Sequence, residues 1–166
     1  MAEYNLGFSK KLAETARLVA DYGVDSFEAV QTIVYLSLLA CEIALKALLE
    51  KSGVPMKQIK AHSHNVEALL CEASRCEVEM DIAGGHLKWV PAVMVRSITI
   101  ESEGAESTVG KLLTGETRGT SRYPNQIRYG SGFSSYPPDA LIKTACAVVK
   151  FAETHWNTIR QPPPSA

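Results

Sequence analysis

Glu42 and Lys46 stand four residues apart inside an apolar run, with the acid first. On a helix this spacing stacks the two side chains on one face, in the favourable orientation for an ion pair. If exposed, the pair is a surface salt bridge worth about 0.3–0.5 kcal/mol. On a half-buried stripe it is either the same intrahelical bridge or a polar spot lining a cleft or dimer seam. His62 and His64 precede the next helical run. An imidazole there either caps the helix and bonds nearby backbone, or meets a phosphate drawn to the free N–H groups of the helix start. A third group is basic: Lys111, Arg118, Arg122 and Arg128 face a single acid, Glu116, with Tyr123 and Tyr129 interleaved. Arginine and tyrosine in a loop can stack on bases and grip phosphates. Equally, Arg122 could pair with a core carboxylate such as Glu42 while Tyr123 plugs a helical bundle. The candidate ligand-binding residues are therefore Arg122, Arg128, Tyr123, His64, Lys46 and Glu42.

Other chemistries find little support in the residues. A zinc site drawn from His62, His64, Cys71 and Cys76 would need a cysteine spacing at the edge of structural zinc patterns, and Cys71 falls within a predicted helix. Gly130-Ser131-Gly132 lacks the Lys-Ser/Thr and the following helix of a phosphate-binding loop. No Gly-x-Ser-x-Gly elbow is present. We assign no catalytic residue, metal or cofactor. Net charge is −1, without the basic excess typical of a dedicated nucleic-acid binder, so any such contact must come from a local patch.

The 166 residues, 46% hydrophobic and 21% charged, suit one globular domain with its own core. The expected domain spans residues 1–161, followed by a disordered Pro-rich tail over 162–166. The start, MAEYNLGFSKK, carries no apolar h-region, so a cytoplasmic protein with unpaired cysteines is expected. The most apolar stretch, Ala29 to Leu49, contains Gln31, Glu42 and Lys46, which argues for a core helix rather than a bilayer span.

Helical periodicity predicts a first helix from Asn5 to Tyr22 and a second from Ser26 to Ser52, capped by Asp25 and ended by Gly53 and Pro55. The second carries two stripes: Val30, Ile33, Val34, Leu38, Cys41, Leu45 and Leu48 on one, and Tyr35, Leu39, Glu42 and Lys46 on the other. Such a helix is packed on both sides and, at 1.5 Å per residue, is about 40 Å long. A third helix is predicted from Ser63 to Ser74, a loop over 75–84, a short helix within His86–Glu101, and a last long helix from Asp139 to Arg160. More than half of the eleven glycines fall between Ser102 and Pro138, which predicts a long functional loop with one helical turn at Val109–Leu113. The expected fold is all-α: a bundle of four to five helices, the second and the last antiparallel, with the Gly-rich loop before the last.

Four segments together resemble the HEPN family, the higher eukaryote and prokaryote nucleotide-binding domains. These are Tyr35-Leu36-Ser37-Leu38-Leu39-Ala40-Cys41-Glu42-Ile43-Ala44-Leu45-Lys46-Ala47-Leu48-Leu49 followed by Gly53; His64-Asn65-Val66-Glu67-Ala68-Leu69-Leu70; Arg122-Tyr123-Pro124; and the final long helix. The resemblance implies a helical bundle that often dimerises. Members include ribonuclease toxins, partners of nucleotidyltransferases and non-catalytic binding modules. The ribonuclease members place a histidine four to six residues after an arginine, and no arginine here has one at that spacing. The resemblance therefore implies a non-catalytic HEPN-like homodimer that binds a nucleotide, RNA or an operon-encoded protein partner through the basic loop. Two alternatives stand beside it. One is a divergent ribonuclease in which Arg122 or Arg128 holds phosphate and His64 or His155 is the acid or base. The other is a purely structural helical dimer.

Overall fold

The computed structural model describes residues 2–118, 123–128 and 136–164. Helix α1 (Leu6–Tyr22) starts at Asn5, whose side-chain oxygen accepts from the Phe8 amide at 3.1 Å, and stops at Gly23. Helix α2 (Phe27–Ser52) is capped by Ser26 rather than by Asp25: the Ser26 hydroxyl accepts from the Ala29 amide at 3.1 Å. Gly53, at φ +95°, closes it in the left-handed conformation that glycine adopts most readily. Of the helices described, α2 is the one long and apolar enough to cross a membrane, but its most apolar window is 72% buried within the fold. Its apolar surface is spent on protein neighbours.

Those neighbours are α1 and the last long helix, α8 (Pro138–His155). Near the start of α1, Ser9 donates to the Ala40 carbonyl at 2.6 Å, and further along Ala16 packs with Ile33, so α1 and α2 are antiparallel. Lys10 pairs with Glu153 at 2.9 Å while Arg17 reaches the Cys146 sulfur at 3.8 Å, so α1 and α8 are antiparallel too. Hence α2 and α8 run parallel. Ile33 and Ile142 share a cluster near their starts, and the Lys51 ammonium lies 5.6 Å from the Trp156 ring centre near their ends. The expected antiparallel pairing is thus overturned. The short Gly23–Ser26 connection makes α1 the antiparallel partner of α2, and the long excursion from residue 53 to 137 brings the chain back to the start of α2.

That excursion also overturns the all-α expectation. After α3 (Met56–Ala61) and α4 (Val66–Arg75), the segment expected to be a loop forms β1 (Glu77–Asp81), which pairs antiparallel with β2 (Leu87–Pro91). Alternation explains it: Val78 points into the core, and flanking charged residues occupy the other face. The expected helix over His86–Glu101 is instead β2, a single turn α5 (Met94–Ser97) and strand β3 (Thr99–Ser102). β3 pairs with β4 (Ala105–Thr108) across a two-residue turn, Glu103-Gly104, with both residues at positive φ. That is the turn geometry matching the twist of a hairpin. α6 (Val109–Arg118) extends the expected single turn, and α7 (Asn125–Arg128) comes next. The last helix ends at His155, and Ile159–Arg160 form β5 on the free side of β1, giving the sheet order β2-β1-β5. Arg160 joins this sheet twice, pairing with Glu77 at 2.9 Å and lying 4.0 Å from the Trp89 ring centre. Eight helices and five strands are described, not four to five helices.

Candidate functional site

The second stripe of α2 carries the site. Glu42 is buried, at 3% exposure, and three donors converge on its carboxylate. Lys46, one turn on, gives its ammonium to Oε1 at 2.7 Å. Tyr123 donates its hydroxyl to Oε2 at 2.6 Å. Nδ1 of His64 sits 3.1 Å from both oxygens. A carboxylate only accepts, so this contact places the proton on Nδ1 and leaves Nε2 as the other edge of the ring. The Lys46 ammonium also lies 5.3 Å from the Tyr4 ring centre.

Each side chain arrives for a local reason. Lys46 is placed by the i, i+4 geometry of α2. His64 is held at the mouth of α4 because Asn65 caps that helix, accepting from the Ala68 amide at 2.9 Å. Tyr123 reaches inward beside α7, which is fastened to α2 by two residues one turn apart. Gln31 donates to the Ile127 carbonyl, and the Tyr35 hydroxyl accepts from Arg128 at 2.7 Å. The Tyr35 and Tyr123 rings are 6.0 Å apart, and the His64 ring stands edge-on to Tyr123 at 6.3 Å. The Arg128 guanidinium carbon lies 5.5 Å from the Tyr35 ring centre.

Burial pushes the Glu42 carboxyl up, but hydrogen bonds from Lys46, Tyr123 and His64 outweigh it and hold the group below the usual carboxylate range. Burial, and then the Glu42 charge beside it, raises the Tyr123 hydroxyl, which stays protonated as a donor. A depressed folded-state pKa contributes stability that is complete above the unfolded value and lost as pH falls through the folded value. In urea titrations the wild-type midpoint is therefore expected to fall as pH drops below the ordinary carboxylate range. Glu42→Gln should be less stable at neutral pH and show a flatter dependence across that window. An equally steep decline in the variant would remove Glu42 as the source.

Of the six candidates, Glu42, Lys46, His64 and Tyr123 form one cluster, and Arg128 joins it through Tyr35. Arg122 and Tyr129 lie outside the described residues, as do Gly119, Gly130 and Gly132 of the expected Gly-rich loop. His62, His64, Cys71 and Cys76 do not converge: Cys71 meets Arg96, and Cys76 bonds the Ser52 hydroxyl. Among the described residues no three His, Cys, Asp or Glu are placed to hold a metal ion. Sequence reasoning missed Gln31 and Tyr35 as the anchors of α7. Their i, i+4 spacing on the stripe of Glu42 was the available signal.

Fold and site together define a helical domain with two small antiparallel sheets, in which the buried Glu42 carboxylate has an arginine–aromatic edge beside it. No family model, curated protein or solved structure matches the chain.

Proposed function

We propose that this chain is a non-catalytic, HEPN-like helical module, cytoplasmic and homodimeric, that binds single-stranded RNA or a nucleotide on the edge formed by Arg128, Tyr35 and His64, with Tyr123 packed behind it. One observation carries the reading. The exposed Arg128 is steadied by the Tyr35 hydroxyl beside two tyrosines and a half-exposed imidazole. A fixed guanidinium presents its charge to a phosphate, and the partly exposed Tyr35 ring and the His64 imidazole offer faces to a base, while the buried Tyr123 backs them. Glu42 supports this edge from below. Its oxygens are occupied by Lys46, Tyr123 and His64, so it serves as a post that ties Tyr123 and the start of α4 to α2.

A second reading is favoured by the His64–Glu42 contact. A buried carboxylate that fixes the tautomer of an accessible imidazole is also how a general acid or base is oriented. In a divergent ribonuclease, His64 would move the proton and Arg128 would hold the phosphate. A gel with labelled single-stranded RNA separates the two, with retardation and cleavage scored in the same lanes for wild type, His64→Gln and Arg128→Ala. The binding reading expects retardation without cleavage, weakened by Arg128→Ala. Cleavage abolished by His64→Gln would replace it with the enzyme. Neither effect on RNA or nucleotide would leave the edge structural.

A further inference from the structure

A second concentration of positive charge lies away from Glu42, in a cavity of about 530 Å³ between α5, β4 and the first two turns of α6. Arg96 and Lys111 line it with Thr108, Thr114 and Tyr136. Among the described residues no carboxylate pairs with Arg96 or Lys111. Arg96 gives one guanidinium N–H to the Cys71 sulfur at 2.8 Å, which fixes the group and leaves further donors. Lys111 is exposed and offers its ammonium. The Thr108 hydroxyl oxygen accepts from the Lys111 amide at 3.3 Å, so its own hydrogen remains available.

The remaining walls are set by close backbone approach. A Cβ at Gly110 would sit 3.0 Å from the Arg96 carbonyl, and one at Gly115 would overlap the Tyr136 ring. Larger residues at these positions would move Arg96 away or fill the space. On the far side, Thr114 donates to Glu67 at 3.4 Å, so the positive character is confined to the Arg96–Lys111 side. The volume lies in the range of small-ligand sites, and two cations match the charge of one phosphate dianion. The start of α6 adds favourable dipole potential.

We propose that this cavity binds a phosphate group, free or as a small monoester, clamped between Arg96 and Lys111 with the Thr108 hydroxyl as a third donor. The site is independent of the RNA-binding reading, because neither cation belongs to the Arg128 edge.

The test is a titration of the full chain with inorganic phosphate, and separately with glycerol 3-phosphate, at constant ionic strength, following backbone amide resonances. Saturable shifts are expected at Thr108, Gly110 and Lys111 with at least one of the two. Tighter binding of glycerol 3-phosphate would identify the monoester, and tighter inorganic phosphate the free anion. Lys111→Gln, at an exposed position that leaves folding intact, should weaken binding about tenfold, as loss of one charge-assisted contact implies. Arg128→Ala should leave it unchanged. Linear, unsaturated shifts, shifts reproduced by chloride alone, or equal affinity in Lys111→Gln would overturn the proposal.

Discussion

Glu42→Ala is expected to lower the unfolding free energy by about 3–5 kcal/mol, the usual cost of removing one partner from a buried ion pair. The Lys46 side chain is 8% exposed and has Glu42 as its ion-pair partner. Without that carboxylate its charge would be stranded among apolar neighbours. The Tyr123 hydroxyl and His64 Nδ1 would lose their acceptor at the same time. Against a typical domain stability of about 5–15 kcal/mol, such a loss is severe. Glu42→Gln keeps an acceptor of similar shape and should cost clearly less. Urea unfolding, with midpoint and slope both recorded, checks this: the Ala midpoint should fall sharply with the slope unchanged. An Ala variant within about 0.5 kcal/mol of wild type, the range of an ordinary surface change, would mean that the cluster holds nothing together.

Arg128→Ala is the second large effect. If Arg128 meets a phosphate, its loss should weaken single-stranded RNA binding about tenfold and reduce the salt dependence by the share of one contact, a slope change of about 0.7. Fluorescence anisotropy titrations at several salt concentrations measure both. Stability should change little, because Arg128 is exposed and Gln31 still ties α7 to α2. Unchanged affinity and slope would remove Arg128 from the interface.

The legible part of the site was its local part. Glu42 and Lys46 announce themselves because a helix brings i and i+4 together, and α2 was predicted nearly to its ends. Neither His64 nor Tyr123 could be paired with Glu42 by spacing, since they lie 22 and 81 residues away. Only the folded excursion from residue 53 to 137 brings them back. The sheets were hidden for another reason. β1 to β4 are four or five residues long, and β1, β3 and β4 carry acids on their outer faces, so in β1 and β3 Val78 or Ile100 alone carries the period-two signal. β5 was absorbed into the last helix because Ile159 continues that helix's apolar stripe. The parallel course of α2 and α8 was equally out of reach: both have apolar faces and adequate length, and neither property encodes direction.

The most direct test of the RNA-binding reading is to titrate isotope-labelled protein with a short single-stranded oligoribonucleotide and map the perturbed amides. Saturable changes are predicted at Tyr35, His64 and Asn125–Arg128, with the α1 face around Leu18 and Tyr22 silent. Changes confined to other surfaces, or none at RNA concentrations that saturate known single-strand binders, would contradict it.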